Sequence, residues 1–188
     1  MVHYIFFFWL PLYLNRQFHY TAEEASNLSS WYDAGGIFGA IVAGYLSDKW
    51  KRSPVLAIML AISIPLFFVY QIIPDNTALN SFILFLLGFQ VAGVVNIMSA
   101  LIAADLGRQP ELKNSNALST VTAILNGFGN FGVAVGQLIV PLIEDAFGWN
   151  AVFTFLLIMS AFSLLFLLPV VYRETIKETN WFRRLTMH

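Results

Sequence analysis

Residues 28–52 read LSSWYDAGGIFGAIVAGYLSDKWKR. From Leu28 to Ser47 the run holds one charge, Asp33, after which Asp48, Lys49, Lys51 and Arg52 follow in quick succession. About 20 helical residues, rising about 1.5 Å each, match a hydrocarbon core of about 30 Å, so the run reads as a membrane span and the charged end as its exit. Inside it, Gly35, Gly39 and Ala43 form one ladder at spacing four, and Gly36, Ala40 and Gly44 form a parallel one. Such a face lets a neighbouring backbone come very close. It serves either ordinary helix packing or a smooth surface on which helices slide or rock.

Cutting the rest of the chain at its charged and Pro/Asn/Gly-rich gaps leaves six apolar segments. They run from about Met1 to Leu14, Leu28 to Ser47, Pro54 to Ile73, Ser81 to Ala104, Ala117 to Ile143 and Asn150 to Tyr172. Five are long enough to span a bilayer; the first, at about 21 Å of helix, is expected to be a span missing its beginning. The expected architecture is all-α: a six-span transmembrane bundle over residues 1–172 and a tail over 173–188. The fifth segment repeats the small-residue device with Gly132 and Gly136.

Composition agrees with this reading. Of 188 residues 58% are apolar and 11% charged, with a mean hydropathy of +0.69. A soluble domain usually carries about 25% charged residues, and a water-exposed globule this apolar would display too much hydrocarbon. Net charge is −1, which leaves no basic footprint for nucleic acid, and Cys is absent, which removes disulfides and thiolate chemistry. If the gaps alternate sides, one side receives Lys49, Lys51, Arg52, Arg108, Lys113, Arg173, Lys177, Arg183 and Arg184, and the other only Arg16. Cations concentrate on the cytoplasmic side of membrane proteins, so the tail is expected there.

Within the spans, polar side chains are few and therefore informative. Asp33 is the sole acidic or basic residue inside the six segments. Either it reaches headgroup water, or it partners a cation on a facing helix or a coupled ion; no cation in these spans could do so. Uncharged polar residues gather in the fourth and fifth spans: Gln90, Asn96 and Ser99, then Ser119, Thr120, Thr122, Asn126, Asn130 and Gln137. Asn126 and Asn130 share a face at i, i+4. Amides in lipid would be unsatisfied, so these are expected to bond between helices or to line a water-filled cavity. His3 is the only His in a span, read either as a packed imidazole or as a ligand. No arrangement of nucleophile, base and acid is present, nor a metal-ligand or phosphate-loop motif, so no enzyme and no cofactor are expected. The sequon Asn27-Leu28-Ser29 abuts the membrane.

Gly44-Tyr45-Leu46-Ser47-Asp48-Lys49-Trp50-Lys51-Arg52 resembles the G-x-x-x-D-[RK]-x-x-[RK] loop of the major facilitator superfamily, found after its second and eighth helices. In this loop Gly44 would serve close helix approach, while Asp48, Lys49 and Arg52 would sit at the cytoplasmic surface. The stretches Trp9 to Leu14, Trp31 to Ile37, Ala103 to Gln109, Ala117 to Ile124 and Phe147 to Trp149 are similar to the C-terminal half of the sugar-phosphate exchangers, relatives of the glycerol-3-phosphate/phosphate antiporters. The likeness covers almost the whole chain, making the six spans similar to helices seven to twelve of twelve.

The resemblance implies exchange of a phosphorylated sugar or other organophosphate for inorganic phosphate by alternating access, between two six-helix halves and without a cofactor. It implies an internal membrane such as the endoplasmic reticulum. In the glycerol-3-phosphate branch a phosphate-binding Arg stands eight residues before the Pro of the seventh helix, and the matching position here is His3. A carboxylate matches Asp33, and similar animal exchangers often have Asp where Asn126 stands. The expected site is therefore His3, Asp33, Gln90, Asn96, Asn126 and Asn130. The partners implied are the two phosphate compounds, the bilayer, and either a missing N-terminal half or a second copy. The competing expectation is a non-transporting membrane interaction protein or an inactive truncated fragment.

Overall fold

The computed structural model describes residues 1–50, 52–107 and 117–185, with side chains at positions 96, 99–107, 117, 118, 121, 125 and 174–185 outside the description. Six helices follow in order: α1 Val2–Phe18, α2 Ala22–Lys49, α3 Arg52–Gln71, α4 Thr77–Gly107, α5 Ala117–Phe147 and α6 Trp149–Leu185. No strand occurs among the described residues. Four helices contain stretches long and apolar enough to cross a membrane: Arg52–Gln71, Thr77–Val95, Thr122–Phe147 and Trp149–Arg173. α2 has the length, 28 residues, but its Gly, Ser and Asp content dilutes the apolar run. Its glycines are spent on contact with α4, as described below. α6 runs without a break past Tyr172, so the described part of the expected tail continues the sixth helix.

The turns follow local rules. α1 ends at His19 in the left-handed region at φ 58°. α2 opens with a reciprocal cap in which the Glu24 amide donates to Thr21 Oγ1 at 3.3 Å and the Thr21 amide donates to Glu24 Oε2 at 2.9 Å. Only Gly148 separates α5 from α6; its φ of +77° is one that side chains with a Cβ rarely adopt, and its N–H closes on the Glu144 carbonyl at 2.8 Å.

α2 and α4 form the tightest helix pair. A Cβ built on Gly35 would run into the Phe85 carbonyl, one on Gly39 into that of Phe89, and one on Gly88 into that of Tyr32. Backbone therefore lies on backbone, in register and in the same direction. Gly93 adds to this seam with Ala43 Cβ 3.2 Å from its Cβ position. The two ladders are used unequally within this chain. Gly35, Gly39 and Ala43 carry the contact, and Gly36 touches Ala92, but Gly44 has nothing within 4 Å among the described residues. In α5, Gly136 meets Ile5 and Met1 while Gly132 has nothing within 4 Å among the described residues.

The main core lies where α1, α2, α3, α4 and α6 converge, around Leu10, Leu14, Tyr32, Leu84, Leu87 and Leu156. Phe6 is its hub, with ring centroids 5.2 Å from Tyr32, 5.4 Å from Phe67, 5.9 Å from Tyr70 and 6.1 Å from Phe153. These separations are in the range of favourable edge and tilted ring packing. A second cluster toward the α2–α3 turn joins Ala43, Val55, Leu56, Met59, Ile97 and Leu167.

Candidate functional site

Near the start of α1, His3 Nδ1 lies 2.8 Å from the hydroxyl of Tyr32 on α2, and the two rings stack with centroids 5.8 Å apart. Asp33 is the next residue of α2. It stands eleven residues into the helix, about 17 Å by the helical rise, and five residues past Leu28, where the apolar segment begins. Its side chain is exposed and its carboxylate has no ion pair or hydrogen bond among the described residues. The α4 contact fixes the level of a third residue. Gly88 packs on the Tyr32 carbonyl, and Gln90 follows two residues later, about 3 Å along the helix. Its Oε1 is buried without a partner among the described residues. His3, Asp33 and Gln90 thus stand at one level of three neighbouring helices.

α5 reaches that level through Gly136, which packs on Met1 and Ile5 to either side of His3. The next residue, Gln137, ties α5 to α1: the Trp9 indole N–H donates to its Oε1, and its Nε2 donates to the Tyr4 carbonyl at 3.1 Å. Farther along the same face, Arg16 Nη1 donates to both carboxylate oxygens of Glu144 at 2.6 and 2.7 Å. Asn126 and Asn130 continue this face in the other direction, about 15 and 9 Å from Gly136. Both are exposed and make no hydrogen bond among the described residues. The expected interhelical bond within this bundle is therefore made by Gln137, while the two asparagines, on the same face of α5, reach no partner among the described residues. The side chain of Asn96 lies outside the described residues.

The loop motif behaves as a surface element. Asp48 and Lys49 are exposed, and Arg52 opens α3 half-buried. Gly44 accepts at its carbonyl from the Ser47 hydroxyl at 2.8 Å, and the Trp50 N–H closes the helix on Leu46 at 2.8 Å. Lys51 lies outside the described residues.

Two residues that sequence reasoning left out of the site belong beside it. Tyr32 was hidden as one aromatic among many, and a hydroxyl in a span is the signal that could have marked it. Gln137 was visible as a polar residue in a span, but its partners are 128 and 133 positions away.

The Major Facilitator Superfamily model matches residues 1–185. Sugar phosphate exchanger 3 of Mus musculus is 45% identical over 176 residues, covering 93% of this chain and 36% of that protein. Sugar phosphate exchanger 3 of Xenopus laevis is 43% identical over 186 residues, covering 98% of this chain and 36% of its own. Glucose-6-phosphate exchanger SLC37A2 of Mus musculus is 40% identical over 177 residues, 93% of this chain and 35% of its own. The chain spans about a third of the length of these relatives. With six helices, apolar span-length stretches and a match along nearly its whole length, the chain is an integral membrane protein that belongs to the major facilitator superfamily.

Proposed function

We propose that this chain forms the C-terminal six-helix half of an exchanger that trades a phosphorylated sugar for inorganic phosphate by alternating access. The observation that carries the reading is a half-buried imidazole and an unpaired carboxylate at one level of an apolar bundle, in a chain over 40% identical to proteins named sugar phosphate exchangers. His3 is the donor that meets phosphate. Its single N–H grips an anion less firmly than a guanidinium fork would, so phosphate affinity is expected to be modest. Asp33 repels phosphate when ionised and serves instead as partner for a cation on a facing helix or for a coupled ion. Asn126 and Asn130, exposed on the α5 face that continues from Gln137, and Asn96 complete the polar lining against the other half of the protein. The tail lies in the cytoplasm, and the membrane is the endoplasmic reticulum or another internal one.

The test is counterflow with the natural full-length protein in proteoliposomes loaded with inorganic phosphate. Labelled glucose 6-phosphate or phosphate should enter only when phosphate is inside, and His3→Ala should cut the initial rate about tenfold or more. A folded, reconstituted protein that catalyses no phosphate-dependent exchange would favour the non-transporting interaction protein.

A further inference from the structure

Tyr32 is 1% exposed, yet it carries a hydroxyl. A buried O–H proton without an acceptor costs about 1–3 kcal/mol, so such groups nearly always find one. The only partner within reach among the described residues is His3 Nδ1 at 2.8 Å. If the imidazole donated from Nδ1, the tyrosine proton would be left buried and unsatisfied. The satisfied arrangement is the reverse, with the Tyr32 O–H donating and Nδ1 accepting, which leaves the imidazole proton on Nε2. Nε2 has no partner among the described residues, and His3 is only partly buried. The tyrosine itself cannot swing away. Its ring is held by Phe6 at 5.2 Å, and its carbonyl is pinned beneath Gly88 of α4.

We propose that Tyr32 is a positioning residue for the phosphate site: by donating to Nδ1 it fixes both the tautomer and the rotation of His3, so that Nε2–H stands as a ready donor for a phosphate oxygen. This rests on the reading that His3 meets the substrate. Tyr32 itself does not touch phosphate. The arrangement parallels the way a hydrogen bond on one ring nitrogen sets what the other presents to a ligand.

The experiment is ¹⁵N-histidine NMR of the natural full-length protein in bilayers, with the His3 signals identified by their loss in His3→Gln, followed by titration with inorganic phosphate. The expected spectrum shows an unprotonated, hydrogen-bonded Nδ1 and a protonated Nε2 that shifts as phosphate binds. In Tyr32→Phe, which keeps the ring and its packing, Nδ1 should move to the position of a free nitrogen and phosphate affinity should fall about three- to tenfold. A proton found on Nδ1 in the unmodified protein overturns the proposal even if Tyr32→Phe fails to fold. So does a Tyr32→Phe protein that binds phosphate as tightly as the original. If phosphate leaves Nε2 of the unmodified protein unmoved, the reading of His3 as substrate contact fails first and the positioning role falls with it.

Discussion

Thr21 and Glu24 show how much a single pair of side chains can specify at a helix end. Glu24 accepts from the Thr21 backbone N–H and also from its hydroxyl, and these bonds hold its carboxyl below the ordinary carboxylate range. Because the folded group is the more acidic one, its contribution is present at neutral pH and lost as pH falls through and below that range. Thr21→Ala should destabilise the start of α2 by about 1 kcal/mol, seen as faster amide exchange at the first turn. In Thr21→Ala the residue 21 backbone N–H still donates to Glu24, so the acid loss of protection, corrected for intrinsic exchange, should only weaken; in Glu24→Gln it should vanish, and an unchanged acid response there would show that the cap is not its source. This cap was legible, since Thr followed three residues later by Glu is a helix-start pattern. The site residues were legible only one at a time: an Asp in a span announces itself, but nothing near His3 in the chain names Tyr32 as its partner.

Helix pairing is decided by which small residues find a backbone opposite. Gly39→Ala adds one methyl that would meet the Phe89 carbonyl, so α2 and α4 must separate, costing about 1–3 kcal/mol or more. Gly44→Ala adds the same methyl where no described residue lies within 4 Å, and removing glycine from a helix should gain about 0.5–1 kcal/mol. Thermal unfolding in detergent should therefore shift in opposite directions for the two variants. Equal shifts would mean that the α2–α4 seam is looser than it stands here. The spacing-four ladders announced that α2 has a face for close packing, but both ladders look alike in sequence. Only the position of α4 separates the ladder that bears Gly39 from the one that ends in Gly44.

Across the whole molecule, α5 is fastened near its end by the Arg16–Glu144 pair and by Gln137, while Asn126, Phe128, Asn130 and Phe131 on its earlier turns stay exposed. The Arg16 side chain is 50% exposed and that of Glu144 12%, so solvent screens the pair and its worth is about 1 kcal/mol. Arg16→Glu should raise amide exchange through the last two turns of α5, and Glu144→Arg added to it should restore protection by recreating the pair. A double reversal no better protected than the single change would assign the fastening to Gln137 alone. By itself the sequence determined the membrane class, the six helices and their approximate limits, and the lone carboxylate of the apolar segments, because hydropathy and charge are properties of neighbouring residues. Tertiary structure decided which faces meet: His3 with Tyr32, Gln137 with Trp9, Gly39 rather than Gly44 against a backbone. Lipid is as apolar as a leucine face, so burial of hydrocarbon does not choose a helix's neighbours, and the choice falls to shape and to a few polar groups whose partners lie far along the chain.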